Sequence, residues 1–132
     1  MKVLNPRIHG YLDYIAVALL ALAPTLFGFS EVPAAICYFV AVMQLGMSLL
    51  TAYPLSLAKL IPFTVHGGVE LGVAIALALA PWLFGFSHED AARSFFIIAG
   101  VGLSVVVFVT NYRAADGYRQ RGSRRERVAS HA

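Results

Sequence analysis

Four long apolar stretches, at 8–29, 33–53, 65–86 and 94–112, are separated by short polar clusters along the chain. Each matches the roughly 20 residues that a helix needs to cross the hydrocarbon of a bilayer. None alternates polar with apolar positions, and each is about twice as long as a membrane strand, so helices are predicted. One block of this pattern occurs twice. HGYLDYIAVALLALAPTLFGFS, starting at His9, aligns without a gap to HGGVELGVAIALALAPWLFGFS, starting at His66, with about 12 of 22 positions identical. Shared apolar composition alone would not give that agreement. The match resumes downstream, at Thr51-Ala52-Tyr53 against Thr110-Asn111-Tyr112.

The expected architecture is an all-α membrane protein. Four transmembrane helices form two tandem, parallel helical hairpins related by a pseudo-two-fold axis along the membrane normal. Residues 1–53 make the first repeat, residues 54–112 an interfacial linker and the second, and residues 113–132 a basic tail. Small residues are expected where helices meet: Gly68 with Gly72 on the third span, Gly100 with Ser104 on the fourth. Gln44, mid-span, should bond a neighbouring helix or another subunit, because an unsatisfied amide in hydrocarbon is costly.

Composition agrees with lipid as the solvent. The chain is 59% hydrophobic and 13% charged, with a mean hydropathy of +0.74 and a net charge of +3. Its basic residues fall almost entirely on one side of a four-span topology. Lys2, Arg7, Lys59 and the six tail arginines share that side, while Arg93 lies opposite with Glu31, Glu89 and Asp90. The positive-inside rule then places both termini in the cytoplasm, in a multi-pass protein of the cytoplasmic membrane. Phe27, Phe29, Trp82, Phe84, Phe86, Phe95 and Phe96 are expected as an outer aromatic belt, and Tyr11, Tyr14, Tyr53, Phe63 and Tyr112 as an inner one. The first span is read as a span and not as a cleaved signal. Asp13 interrupts it, Pro24 follows its Ala-Leu-Ala triplet, and the second repeat carries the same triplet at Ala78-Leu79-Ala80. The single Cys37 is read as a small packing residue.

Each copy of the repeated helix has two chemically different ends. Pro24 with Gly28, and Pro81 with Gly85, read as helix terminators at the outer interface: the proline loosens the last turn and the glycine lets the chain reverse. At this element the chain resembles the SPW-repeat family of small bacterial and archaeal membrane proteins, named for a Ser-Pro-Trp signature. The second copy carries Ala80-Pro81-Trp82 and the first Ala23-Pro24-Thr25, so both depart from the signature at serine and the first also at tryptophan. The resemblance covers nearly all of 2–112. It implies a membrane-embedded pair of helical hairpins and carries over no catalytic residues.

The other end holds the only constellation with chemical potential. His9 with Asp13, and His66 with Glu70, each put an imidazole and a carboxylate four residues apart, on one helix face. In parallel repeats the four side chains fall at one depth. Three readings are open. In the first, the imidazoles bond the carboxylates across the repeats or within each helix, and the cluster locks the hairpins together. In the second, it holds a divalent metal, or the two imidazoles ligate haem iron. In the third, Asp13 and Glu70 serve a proton- or cation-coupled pathway, continued by Gln44, Ser48 and Ser104.

No oriented nucleophile, phosphate-binding glycine loop or thiolate metal motif is present, which disfavours a hydrolase or nucleotide enzyme. The preferred expectation is a non-enzymatic accessory or scaffolding membrane protein without a cofactor. It would self-associate or join a larger membrane complex. A metal- or haem-binding module stands second and a minimal transporter third. The tail is expected to be disordered in isolation and to meet anionic headgroups, not nucleic acid.

Overall fold

The computed structural model describes residues 4–51, 56–112 and 124–131. Four helices carry the fold: α1 (Pro6–Phe27), α2 (Glu31–Leu50), α3 (Phe63–Leu83) and α4 (Asp90–Val109). All four are long and apolar enough to cross a membrane. No strand forms among the described residues, and 124–130 make a short exposed helix. Lys2, Tyr53, Arg113, Arg119 and Arg121 lie outside the described residues.

The helix ends follow from local chemistry. Asn5 caps α1 by accepting the Ile8 amide at 3.0 Å, and Pro6 occupies the first turn, where a missing N–H costs nothing. Gly28 ends α1 in the left-handed region, at φ 65°. Its amide and that of Phe29 both reach back to the Pro24 carbonyl, the latter at 3.0 Å. In the second hairpin Gly85 stands at φ 75° and the Phe86 amide meets the Pro81 carbonyl at 2.9 Å. Each proline therefore lies within its helix, three residues or fewer before the end, and its carbonyl anchors the reversal.

Within each hairpin the helices pack along their length, α1 on α2 and α3 on α4, while α1 meets α4 more lightly. Gly100 makes the α3–α4 approach possible. A Cβ there would fall 2.5 Å from the Ala74 carbonyl oxygen and 2.8 Å from Ala78. Gly68 and Gly72 face open space instead, with nothing within 4 Å, so they do not form the expected intramolecular contact. Leu20, Cys37, Ala41, Leu77, Ala92 and Phe96 build the shared core. Phe86, Phe96 and Phe63, expected in the interfacial belts, are buried, Phe86 and Phe96 packing edge to face in the core; Phe27, Trp82 and Phe84 are more than half exposed.

The hairpins are joined at one end by short backbone pairings. Leu4 donates to Val109 at 2.9 Å and accepts from Asn111 at 2.7 Å, while Ile61 donates to Leu50 at 2.7 Å. The segment before each odd-numbered helix thus lies against the end of the other hairpin's last helix or of the helix preceding it. These pairings frame the polar cluster. At the opposite end Ser30 meets Glu89, through its hydroxyl and through its amide at 3.3 Å, tying the two helix turns together.

Candidate functional site

The four ionisable residues singled out by their spacing meet at one point. His9 and Asp13 descend from the first turns of α1, and His66 and Glu70 from those of α3. The Nε2 atom of His9 lies 3.2 Å from Asp13 Oδ1 and 2.9 Å from Glu70 Oε2. The Nε2 atom of His66 lies 3.1 Å from Asp13 Oδ2 and 3.8 Å from Glu70 Oε2. Of the two carboxylates, the nearer to each imidazole is the one from the other hairpin. Their rings stand edge to face with centroids 5.7 Å apart, and all four side chains are at most 1% exposed.

Two threonines just past the ends of α2 and α4 fix how the rings point. Thr110 Oγ1 lies 2.7 Å from His9 Nδ1 and donates to the Val106 carbonyl at 2.5 Å. Thr51 Oγ1 likewise lies 2.7 Å from His66 Nδ1 and donates to the Met47 carbonyl at 2.5 Å. A hydroxyl has one proton, and a carbonyl can only accept it. Each threonine oxygen must then accept from the imidazole, so Nδ1 carries a proton in both histidines. Every Nε2 is left facing the carboxylates.

Further residues complete the surroundings. Gln44 on α2 donates to Glu70 Oε1 at 3.4 Å, the neighbouring-helix bond expected of it. Ser48, one turn on, is wholly buried on the same helix face. Tyr112 and Phe63 close the cluster from the side of the chain ends. The Tyr112 ring lies 5.7 Å from His9 and 4.5 Å from Phe63, centroid to centroid. Gly67 makes room for it, since a Cβ there would fall 2.5 Å from Tyr112 Cζ.

A profile of the SPW repeat domain matches residues 7–112, spanning both hairpins and every residue of this cluster. The chain belongs to the SPW repeat family. No curated protein and no solved structure matches it. With the four apolar helices, membership makes this SPW repeat protein a membrane protein. Its signature element lies at the far end of α1 and α3. Pro24 is fifteen residues beyond His9, roughly 22 Å along a helix, so Pro24, Gly28, Pro81 and Gly85 form no part of the cluster.

The residues that spacing arguments did not single out as partners are Thr51, Thr110 and Tyr112. A signal for them exists in the chain. Threonine and tyrosine two residues apart close both repeats, where a purely apolar helix end would serve equally well in lipid.

Proposed function

We propose that this SPW repeat protein is a non-enzymatic accessory or scaffolding element of the cytoplasmic membrane, with both termini in the cytoplasm. One observation carries the reading. Apart from Arg7, Glu31, Asp90 and Arg93 near the helix starts, the acidic, basic and histidine side chains of the described spans turn inward on one another and are at most 1% exposed. Such a cluster keys two hairpins together without offering a reacting group to a substrate. Beyond it Leu20, Cys37 and Leu77 belong to an apolar core, which favours a structural cluster over a pathway towards the other end.

The outward faces are apolar and available for lateral contact. One groove of about 290 Å³ runs between α1 and α4, past Leu19 and Ile98, and another of about 440 Å³ between α2 and α3, past Phe39 and Ala76. Without a hydrophobic drive in lipid, helices associate by shape and close packing, and grooves of this kind suit a neighbouring helix. The exposed Arg124, Arg125 and Arg127 suit anionic headgroups on the cytoplasmic side. Photo-crosslinkers at Leu19 and Ile98 in native membranes test the reading. A discrete protein adduct, of a second copy or of one partner, is expected; adducts with lipid alone would overturn it.

A further inference from the structure

The cluster has a property that locking two hairpins does not require. Both Nδ1 atoms are committed as donors to Thr51 and Thr110, so each imidazole turns its Nε2 to the centre, where loss of the Nε2 proton leaves a lone pair facing the carboxylates. Gln44 holds one oxygen of Glu70 and leaves Oε2 turned inward. The His9 Nε2 atom makes no aligned hydrogen bond, although carboxylate oxygens stand 2.9 and 3.2 Å away. Glu70 Oε2 is likewise in contact with imidazole nitrogen but off the line of a hydrogen bond. Convergent electron-pair donors aimed at a shared centre, and not along each other's N–H axes, are what ligands of one ion look like.

We propose that His9 Nε2, His66 Nε2, Asp13 and Glu70 form a four-coordinate site for a first-row divalent metal ion, of which zinc is the probe of choice. One ligand atom from each residue falls within 4.8 Å of all the others. Zinc bonds to nitrogen and oxygen of about 2.0–2.2 Å place tetrahedral ligand atoms roughly 3.3–3.6 Å apart. The observed imidazole-to-carboxylate separations, from 2.9 to 3.8 Å, bracket that edge. Two carboxylates and two neutral imidazoles carry two negative charges, which one divalent cation cancels in a site shut off from water. The threonine and glutamine bonds are the outer partners that orient metal-binding imidazoles and carboxylates. Calcium, with six to eight oxygen ligands, does not suit this donor set. Haem does not suit it either, because carboxylate oxygens stand within 3.2 Å of each Nε2, where the porphyrin plane would pass.

The test uses the full chain in detergent or nanodiscs. Zn²⁺ or Co²⁺ is supplied both during growth and to the purified protein, because Tyr112 and Phe63 close over the site. One ion per chain, retained through desalting, is expected, and the Co²⁺ form should show the intense visible bands of four-coordination. His88→Gln plus His131→Gln should leave this unchanged. Asp13→Asn and Glu70→Gln should abolish it. Thr110→Val and Gln44→Leu keep all four ligands, so a folded variant of either kind should bind roughly 10–100-fold more weakly. Failure of the wild type to retain either ion, six-coordinate cobalt spectra, or retention undiminished in Glu70→Gln would each overturn the proposal. A metal-free but folded protein would leave the scaffolding reading standing, and lipid-only crosslinks would leave the metal site standing.

Discussion

The Nδ1–H of His9 is held by Thr110 at 2.7 Å, across 101 residues of sequence. The bond joins the start of the first hairpin to the end of the second, and Thr51 repeats it with His66 in the opposite sense. Thr110→Val, which preserves shape while deleting the hydroxyl, leaves a buried N–H without its acceptor. The expected loss is about 1–2 kcal/mol, at the upper end of interhelical hydrogen bonds in bilayers. Thr51→Val should cost a similar amount. Reversible unfolding in mixed micelles, followed by circular dichroism, measures both; a neutral Thr110→Val would show that the ring is held by packing alone.

Glycine substitutions should separate close approach from open surface. At Gly100 the added methyl meets the Ala74 carbonyl and the Ala78 amide, 2.5 and 2.8 Å away, and backbone cannot step aside. Gly100→Ala should therefore destabilise by about 1–3 kcal/mol. At Gly67 the obstacle is the Tyr112 ring, a side chain that can swing, so Gly67→Ala should cost less. Gly68→Ala meets nothing and should be neutral or gain up to about 1 kcal/mol from helix propensity. The rank order of melting temperatures, Gly68→Ala above Gly67→Ala above Gly100→Ala, is the outcome to check.

At the far end, the Ser30 hydroxyl and amide hold the Glu89 carboxylate, lowering its pKa from an ordinary value of 4.5. A depressed carboxylate stabilises the fold when ionised. The contribution is complete above pH 4.5 and is lost as pH falls through the lower folded value. Comparing wild type with Ser30→Ala across this range should show a stability advantage at neutral pH that shrinks in acid. An advantage that grew on acidification would contradict the assignment.

Much of this molecule could be read from its residues, for identifiable reasons. Apolar length and the duplicated block indicated four spans in two hairpins, since lipid leaves helices few alternatives. The i, i+4 spacing of His9 with Asp13 and of His66 with Glu70 put each pair on one face, and in the structure the two pairs meet. What spacing does not encode is how the helices pack on one another. In that packing Phe86 and Phe96 enter the core, Gly68 and Gly72 face open space, and each threonine meets the other hairpin's histidine. Periodicity reports which residues share a helix face, not which face they meet.

The shared burial of the cluster makes its members energetically dependent, and a double-mutant cycle on His9 and Glu70 should reveal it. Their contact at 2.9 Å lies in a region at most 1% exposed. Removing one member of a buried charge pair leaves the other uncompensated, typically at about 3–5 kcal/mol, whereas removing both relieves that penalty. In chelator-treated protein, His9→Gln and Glu70→Gln should each destabilise strongly, and the double variant should be more stable than the sum of the singles predicts. A coupling of about 1–3 kcal/mol is expected for groups in one network. The same cycle on His9 and Glu89, which stand at opposite ends of the bundle, should be additive within about 0.5 kcal/mol. Additivity in both cycles would mean that imidazole and carboxylate are neighbours without interaction, and the cluster would no longer account for the joining of the hairpins.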